Sequence, residues 1–459
     1  MGNGKKWFRR LGWLLAVYVI VSVWAVPLVQ REAPAPKDTG RERSGSPERV
    51  RCIDQNDEAL IRRLQLVESA TEELRFATYS YKSDESGRDM SAAMLAAAER
   101  GVQVRILVDG ICVMLDLARS ESFRALASAP NVEVRVYNPV NLAALWRLNF
   151  RMHDKYIIAD DRAYLLGGRN TRNVSLGSYQ EKADEDRDVL VCSADDGPGA
   201  SLLEVRDYFE TVWNLPTTKP FRGREGTEQA RQELRSWYEV MKTGAPAVFA
   251  PPRWEEETMA AASVQLLHNP PKAGIRQPTL WGALTDQMER GSDVVVQTPY
   301  LILNGTMRGD LKELTADGRR MRIILNAPET GANPNGCVDY LNQRGKLSRL
   351  GAELYEYAGA RSVHTKTVLV DDRISIIGSF NMDMRSAYLD TEMMLVIDCP
   401  ELNEALRDRD ESYMAQSRCV HPGGKITEGE AWTAPTLPGA KKLLYGLMRI
   451  VVLPMRHLL

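Results

Sequence analysis

The stretch HDKYIIADDRAYLLGGRN, starting at His153, returns as HTKTVLVDDRISIIGSFN from His364, and this repetition constrains the fold more than any other feature of the chain. The offset is 364 − 153 = 211, and it recurs at Lys155/Lys366, Asp160/Asp371, Asp161/Asp372, Arg162/Arg373, Gly167/Gly378 and Asn170/Asn381. Seven of the eighteen positions are identical, and most of the others exchange one aliphatic side chain for another. A chain that carries the same unit twice is expected to fold as two like halves.

The duplication extends upstream of each His. The apolar segments Glu72–Tyr81 and Ser292–Tyr300 both end at an aromatic residue. Glu99–Gly110 is answered by Asp317–Ala327, in which a helix stops at Gly and a buried strand follows. Asn131–Pro139 is answered by Gly351–Gly359, each a strand just before the motif. Helices alternating with buried strands predict an α/β layered fold in each half. The halves are expected at residues 51–250 and 251–424, packed as a pseudo-dimer within one chain.

The ends differ from this body. Lys5, Lys6, Arg9 and Arg10 precede Leu11–Val29, an uncharged run long enough to cross a bilayer as a helix. Trp7, Trp13 and Trp24 fall where interfacial aromatics would sit, and the leading bases keep the N-terminus cytoplasmic. Residues 1–30 are therefore read as a transmembrane anchor, with a cleavable signal peptide as the alternative. Residues 31–50, rich in Pro and charge, read as a linker. Residues 425–459 form an apolar tail with spaced bases, fit either to lie on a membrane surface or to pack on the body. Net charge is −2, from 59 basic and 61 acidic residues, which argues against a nucleic-acid partner. The six cysteines form no CxxC pair, so no zinc site is expected; free thiols and one or two disulfides are both open.

Residues two apart on a strand share a face, so His153 lies beside Lys155 and His364 beside Lys366. Asp160 and Asp371, seven residues after their His, fall at a turn where bracing suits them better than proton transfer. The chain has only five histidines, and two of them hold equivalent places in the repeat. Two imidazoles, two ammoniums and two amides, Asn170 and Asn381, would together receive a phosphodiester. One neutral imidazole can attack phosphorus while the other, protonated, serves the leaving alcohol. Histidine suits both tasks because its ordinary pKa of about 6.5 keeps both forms accessible near neutrality. No metal or cofactor is required. Asp188 and Glu392 each sit at the start of a strand and are the carboxylates expected to orient the imidazoles; their separation, 392 − 188 = 204, implies one loop of different length.

These residues resemble the phospholipase D superfamily, marked by HxKx4D followed by GGxN or GSxN, twice per chain. Here the marks are His153-x-Lys155-x4-Asp160 with Gly167-Gly168-Arg169-Asn170, and His364-x-Lys366-x4-Asp371 with Gly378-Ser379-Phe380-Asn381. FETVWN from Phe209, QTPYLI from Gln297 and IIGSFNMDMRSAYLDTE from Ile376 are similar to the bacterial cardiolipin synthase branch. The resemblance implies the phospholipase D-like fold and a catalytic set of His153, Lys155, Asp160, His364, Lys366 and Asp371. Phosphate contacts then fall to Lys155, Asn170, Lys366, Ser379 and Asn381. It further implies a phosphohistidine on His153, with His364 as general acid and then base. The implied substrates are phospholipids, phosphatidylglycerol first and phosphatidylethanolamine second, at a bacterial inner membrane, and the leading bases of the N-terminal run place the catalytic body outside the cytoplasm. A phosphatidyltransferase is the leading expectation. A phospholipase D that hydrolyses to phosphatidic acid is the alternative, and a nuclease a weaker one.

Overall fold

The computed structural model describes residues 10, 12–22, 48–194 and 197–459. Its body is built on two nine-stranded sheets. The first holds β1 (Glu48–Ile53), β2 (Glu73–Thr78), β3 (Gln103–Asp109), β4 (Val132–Tyr137), β5 (Lys155–Ala159), β6 (Ala163–Gly167), β7 (Asp188–Ser193), β8 (Thr218–Pro220) and β9 (Met259–Ala261). The second holds β10 (Ser263–His268), β11 (Asp293–Gln297), β12 (Arg320–Asn326), β13 (Glu353–Tyr357), β14 (Thr367–Val370), β15 (Ile374–Gly378), β16 (Met393–Asp398), β17 (Ser417–Val420) and β18 (Ile426–Glu428).

Both sheets follow one plan. β2, β3 and β4 run parallel, as do β11, β12 and β13, while β5 and β14 return antiparallel beside β2 and β11. Each repeated motif is then a hairpin, β5–β6 in one half and β14–β15 in the other. The hairpin turns are why Asp160 and Asp371 are retained. Both have a left-handed backbone, φ 50° and 47°, a region Asp enters more readily than branched residues. The Asp160 carboxylate accepts the backbone N–H groups of Thr71, Glu72 and Glu73 at 2.9 Å. Asp371 likewise accepts from Ser292 at 2.8 Å and Asp293 at 2.9 Å. Each Asp thus ties its hairpin to the start of the neighbouring parallel strand.

Strand alternation sorts the core into layers. Leu74 and Phe76 of β2, and Ile157 and Ala159 of β5, face the outer helices of the first half. Ala77, Tyr156 and Ile158 point the other way, into a core shared with Val264, Val295, Leu369 and Leu395 of the second sheet. Helices Ala200–Trp213 and Pro400–Ala415 complete that shared core with Val205, Phe209, Leu402 and Leu406. Two α/β halves thus meet across one continuous apolar interior, as the repeat predicts.

The boundaries differ from expectation in three places. β1 starts at Glu48, inside the expected linker, because it pairs with β7 along its whole length. β9 lies beyond residue 250 yet belongs to the first sheet, where Glu48 faces Ala261, so the sheets divide at Ala262. β18 extends the second sheet past residue 424 through its ladder to β17. The expected anchor falls partly outside the described residues. Its described part, residues 12–22, is helical, and no helix among the described residues is long and apolar enough to cross a membrane. All six cysteines are free.

Candidate active site

The two imidazoles are oriented across the halves. His153 Nδ1 lies 2.9 Å from Glu392 Oε1, and His364 Nδ1 lies 2.6 Å from Asp186 Oδ2. The backbone repeats the crossing: His153 N–H donates to Thr391 O at 3.2 Å, and His364 N–H to Glu185 O at 2.6 Å. Isolated parallel bridges Met152–Thr391 and Val363–Glu185 fix this alignment. Each half therefore supplies an imidazole and the carboxylate that steers the imidazole of the other half. With both Nδ1 atoms engaged, Nε2 is the ring nitrogen left to react.

Asp188, expected to be one of the orienting carboxylates, is not. Its carboxylate is buried against Arg63 Nη1 at 3.0 Å and Arg169 Nη1 at 3.2 Å. The strand register explains the correction. Gly167 pairs with Asp188 and Gly378 with Met394, so Asp188 corresponds to Met394, and Asp186 to Glu392 (392 − 186 = 206). Glu392, the other expected carboxylate, is the one that meets His153 Nδ1.

Ser379 was expected at the phosphate; instead its hydroxyl turns to the Glu392 carboxylate and accepts the Met393 N–H at 3.0 Å. Ser386 Oγ donates to the other Glu392 oxygen at 2.6 Å. The first half places Gly168 where Ser379 stands. A Cβ at residue 168 would come within 2.1 Å of Asp186 Oδ1, so the shorter carboxylate fills the space that a side chain would need.

Both lysines are buried, 2% exposed, and both donate to the carbonyl of their own His. Lys366 Nζ also lies 2.9 Å from His364 Nδ1. Burial lowers both ammonium pKa values; for Lys155 burial, with Lys366 adding to it against the opposing Glu392 carboxylate, pushes the value down to about 7. A bound anion would offset the burial of either ammonium. Asn170 and Asn381 are buried beside them; Asn170 Oδ1 accepts from Ser80 N–H at 3.2 Å, and Asn381 Oδ1 has no protein partner.

The halves are not electrostatically equal. Burial, followed by Lys155, drives His153 well below its ordinary value; His364 is also lowered, by burial and Lys366, but Asp186 opposes that shift. Glu392 is raised by burial to about 7, with Lys155 opposing. Asp186 is raised by burial too, yet Lys366 and His364 hold it below the usual carboxylate range. Burial thus dominates at Glu392, whereas the facing cations dominate at Asp186.

Two functional neighbours were missed in the sequence. Tyr79 packs edge-on to His153, centroids 5.1 Å apart, with Lys155 Nζ 5.5 Å from its ring. Arg385 bonds Asp390 at 2.9 Å, and Asp390 in turn accepts from the Arg151 N–H at 3.2 Å, two residues before His153. Tyr79 falls in the duplicated segment Glu72–Tyr81, but the second half has Pro299 at its place, and Arg385 lies beyond the repeated hairpin, so no identity between the halves marks either. Away from this set, Glu353 on β13, Cys419 on β17 and His421 just after it hold their ligand atoms within 4.8 Å of one another.

Two like α/β halves that meet at paired imidazoles and ammoniums define a twin-motif enzyme of phosphodiesters. The family described as "Cardiolipin synthase, PLD-like domain" matches residues 64–213 and 284–413, and the chain belongs to it, a phospholipase D superfamily enzyme close to the bacterial cardiolipin synthases. Cardiolipin synthase C of Escherichia coli (strain K12) is 29% identical over 409 residues, covering 78% of this chain and 83% of that one. Cardiolipin synthase B of Salmonella typhi is 26% identical over 363 residues, 78% of each chain. Among solved structures, phosphatidylserine synthase of Haemophilus influenzae Rd KW20 shares the fold with a TM-score of 0.61 at 19% identity, over 90% of this chain and 97% of that one.

Proposed function

We propose that the protein is a phosphatidyltransferase of cardiolipin synthase type that works through a phosphohistidine. The observation that carries this reading is the crossed pair His153–Glu392 and His364–Asp186, in which the imidazole of each half meets a carboxylate of the other and has a buried lysine two residues on. The similarity to cardiolipin synthases of Escherichia coli and Salmonella typhi supports phospholipids as substrates.

His153, whose pKa is lowered well below the ordinary imidazole value, is the neutral nucleophile. Its Nε2 attacks phosphorus of the donor lipid, and the P–O bond to the departing headgroup alcohol breaks. His364, paired with the firmly ionised Asp186, gives its Nε2 proton to that leaving oxygen. Lys155, Lys366, Asn170 and Asn381 hold the non-bridging oxygens while charge builds on phosphorus. In the second step His364 takes the proton of an acceptor hydroxyl, whose oxygen attacks phosphorus and expels His153. With phosphatidylglycerol as donor and acceptor, the products are cardiolipin and glycerol.

The test is purified full-length protein in detergent with phosphatidylglycerol and phosphatidylethanolamine, products read by mass spectrometry. Cardiolipin is expected. Phosphatidic acid alone would show that water is the acceptor and overturn the transferase reading; DNA cleavage without lipid turnover would overturn the lipid reading.

A further inference from the structure

The C-terminal helix Gly439–Val452 is apolar on both sides. Tyr445, Met448 and Val452 pack against Cys337, Val338 and Leu341 of helix Pro334–Leu347. The opposite side carries Leu443, Leu444, Leu447, Ile450 and Val451, each between 52% and 72% exposed. Spacings of three, four and seven place these residues on one stripe. Such a stripe is too apolar to be an ordinary water-facing surface.

A second exposed apolar element lies in the first half. The turn Leu142–Asn149 exposes Leu142 at 77% and Trp146 at 43%. Tyr18, from helical residues 12–22, bonds that turn twice: its hydroxyl donates to Leu142 O at 2.9 Å and accepts from Leu145 N–H at 3.1 Å. Beside Leu142 lies a cavity of about 750 Å³ walled by Val113, Met114, Pro139, Val140 and Phe221, with Lys219 and Arg222 also lining it.

Arg385 joins these elements to the chemistry. It donates to Asn149 O, the last residue of the turn, at 3.0 Å, and to Leu458 O, near the C-terminus, at 3.2 Å. Its third side-chain bond is to Asp390, whose carboxylate accepts the Arg151 N–H two residues before His153. The exposed apolar elements are therefore hung on a residue beside the nucleophile.

We infer that the C-terminal helix, the Leu142–Asn149 turn and the cavity beside that turn form a docking surface for an anionic phospholipid bilayer. Charge selects this occupant. Residues 431–459 contain Lys441, Lys442, Arg449 and Arg456 and no Asp or Glu. Arg456 is committed to Asp339, whereas Lys441 and Arg449 bond only a carbonyl and an amide oxygen, so their charge is not neutralised by those bonds. Apolar residues flanked by such cations bind the boundary between headgroups and acyl chains, most strongly where the lipid is anionic. The inference deepens the reading above and takes from it that the substrate is a membrane lipid.

The test is hydrogen–deuterium exchange on the full chain reconstituted in phosphatidylcholine vesicles and in vesicles containing phosphatidylglycerol. Any lipid contact of residues 12–22 that does not depend on headgroup charge is common to both vesicles and cancels in the comparison. Amides of 439–452 and 142–149 should slow about fivefold or more with phosphatidylglycerol. Leu447→Glu combined with Ile450→Glu should abolish that protection. The same variant should lower, about tenfold, the ratio of turnover on vesicle lipid to turnover on short-chain soluble phosphatidylglycerol. Equal exchange in the two vesicles overturns the inference, as does an unchanged ratio. Protection that follows protein concentration without vesicles would assign the surface to a second copy and overturn it too. If no lipid is turned over, the catalytic reading fails while the exchange result still decides the docking surface.

Discussion

His153 and Glu392 are 239 residues apart in sequence, in different halves, and 2.9 Å apart in space. Neither half can orient its own imidazole. A half expressed alone would hold a His, a Lys and an Asn, but its carboxylate would face away from its own His. This gives the duplication a chemical reason beyond supplying two copies of one group.

Glu392→Gln keeps the size of the side chain and removes the charge that aligns His153. Turnover should fall about 100-fold, with KM changed less than threefold, because the loss lies in orientation and imidazolium stabilisation. Steady-state kinetics on phosphatidylglycerol would check this, and turnover within twofold of the unmodified protein would contradict it.

Asp186 and Asp188 should separate cleanly. Asp186→Asn should lower turnover with little change in thermal stability, since it touches His364. Asp188→Asn leaves Arg63 and Arg169 buried without a carboxylate, which costs about 3–5 kcal/mol and lowers Tm. Thermal melts beside kinetics would show which carboxylate serves the chemistry and which the fold.

Asp160→Ala removes the acceptor of three backbone N–H groups and places Ala at φ 50°. The expected loss is about 1–3 kcal/mol of stability with kcat of the folded protein nearly unchanged. Burial raises the Asp160 and Asp371 carboxyls, but the backbone donors outweigh it and hold both below the ordinary value of 3.8. Their contribution is therefore complete above the unfolded value and is lost as pH falls through the lower folded one. Denaturant melts across acid pH should show Asp160→Ala and the unmodified protein converging there.

The pH profile carries the mark of the buried lysines. Lys155, held near 7 by burial, loses its proton as pH rises, so kcat/KM should have an alkaline limb close to neutrality. Bound phosphate restores the ammonium, so the same limb should lie at higher pH in kcat. A kcat/KM that stays flat to about pH 9 would contradict the placement of Lys155 at the phosphate.

What was legible in the sequence follows from its periodicities. The repeat exposes His153, Lys155, Asn170 and their partners because identical residues recur at one offset, and the odd spacing of Asp160 and Asp371 puts them at turns, where they brace. DRDVLV from Asp186 and DTEMMLV from Asp390 can be laid against each other with either Asp186 or Asp188 opposite Glu392, and Asp188 looks the match. Period two cannot choose between them; only the pairing of Gly167 with Asp188 and of Gly378 with Met394 does. The crossing between halves is a tertiary relation that a repeat alone does not display. Ser379 looked like a phosphate ligand by its place in the motif, yet the longer Glu392 side chain draws its hydroxyl away.

The central claim is that the first-half His153 becomes phosphorylated and His364 serves as the acid. The most direct measurement is rapid acid-free quench of enzyme turning over labelled phospholipid, followed by mapping of the labelled peptide. The account predicts acid-labile label on His153, absent in His153→Ala and retained in His364→Ala when the donor carries a good leaving group. Label on His364 in the unmodified protein would contradict it.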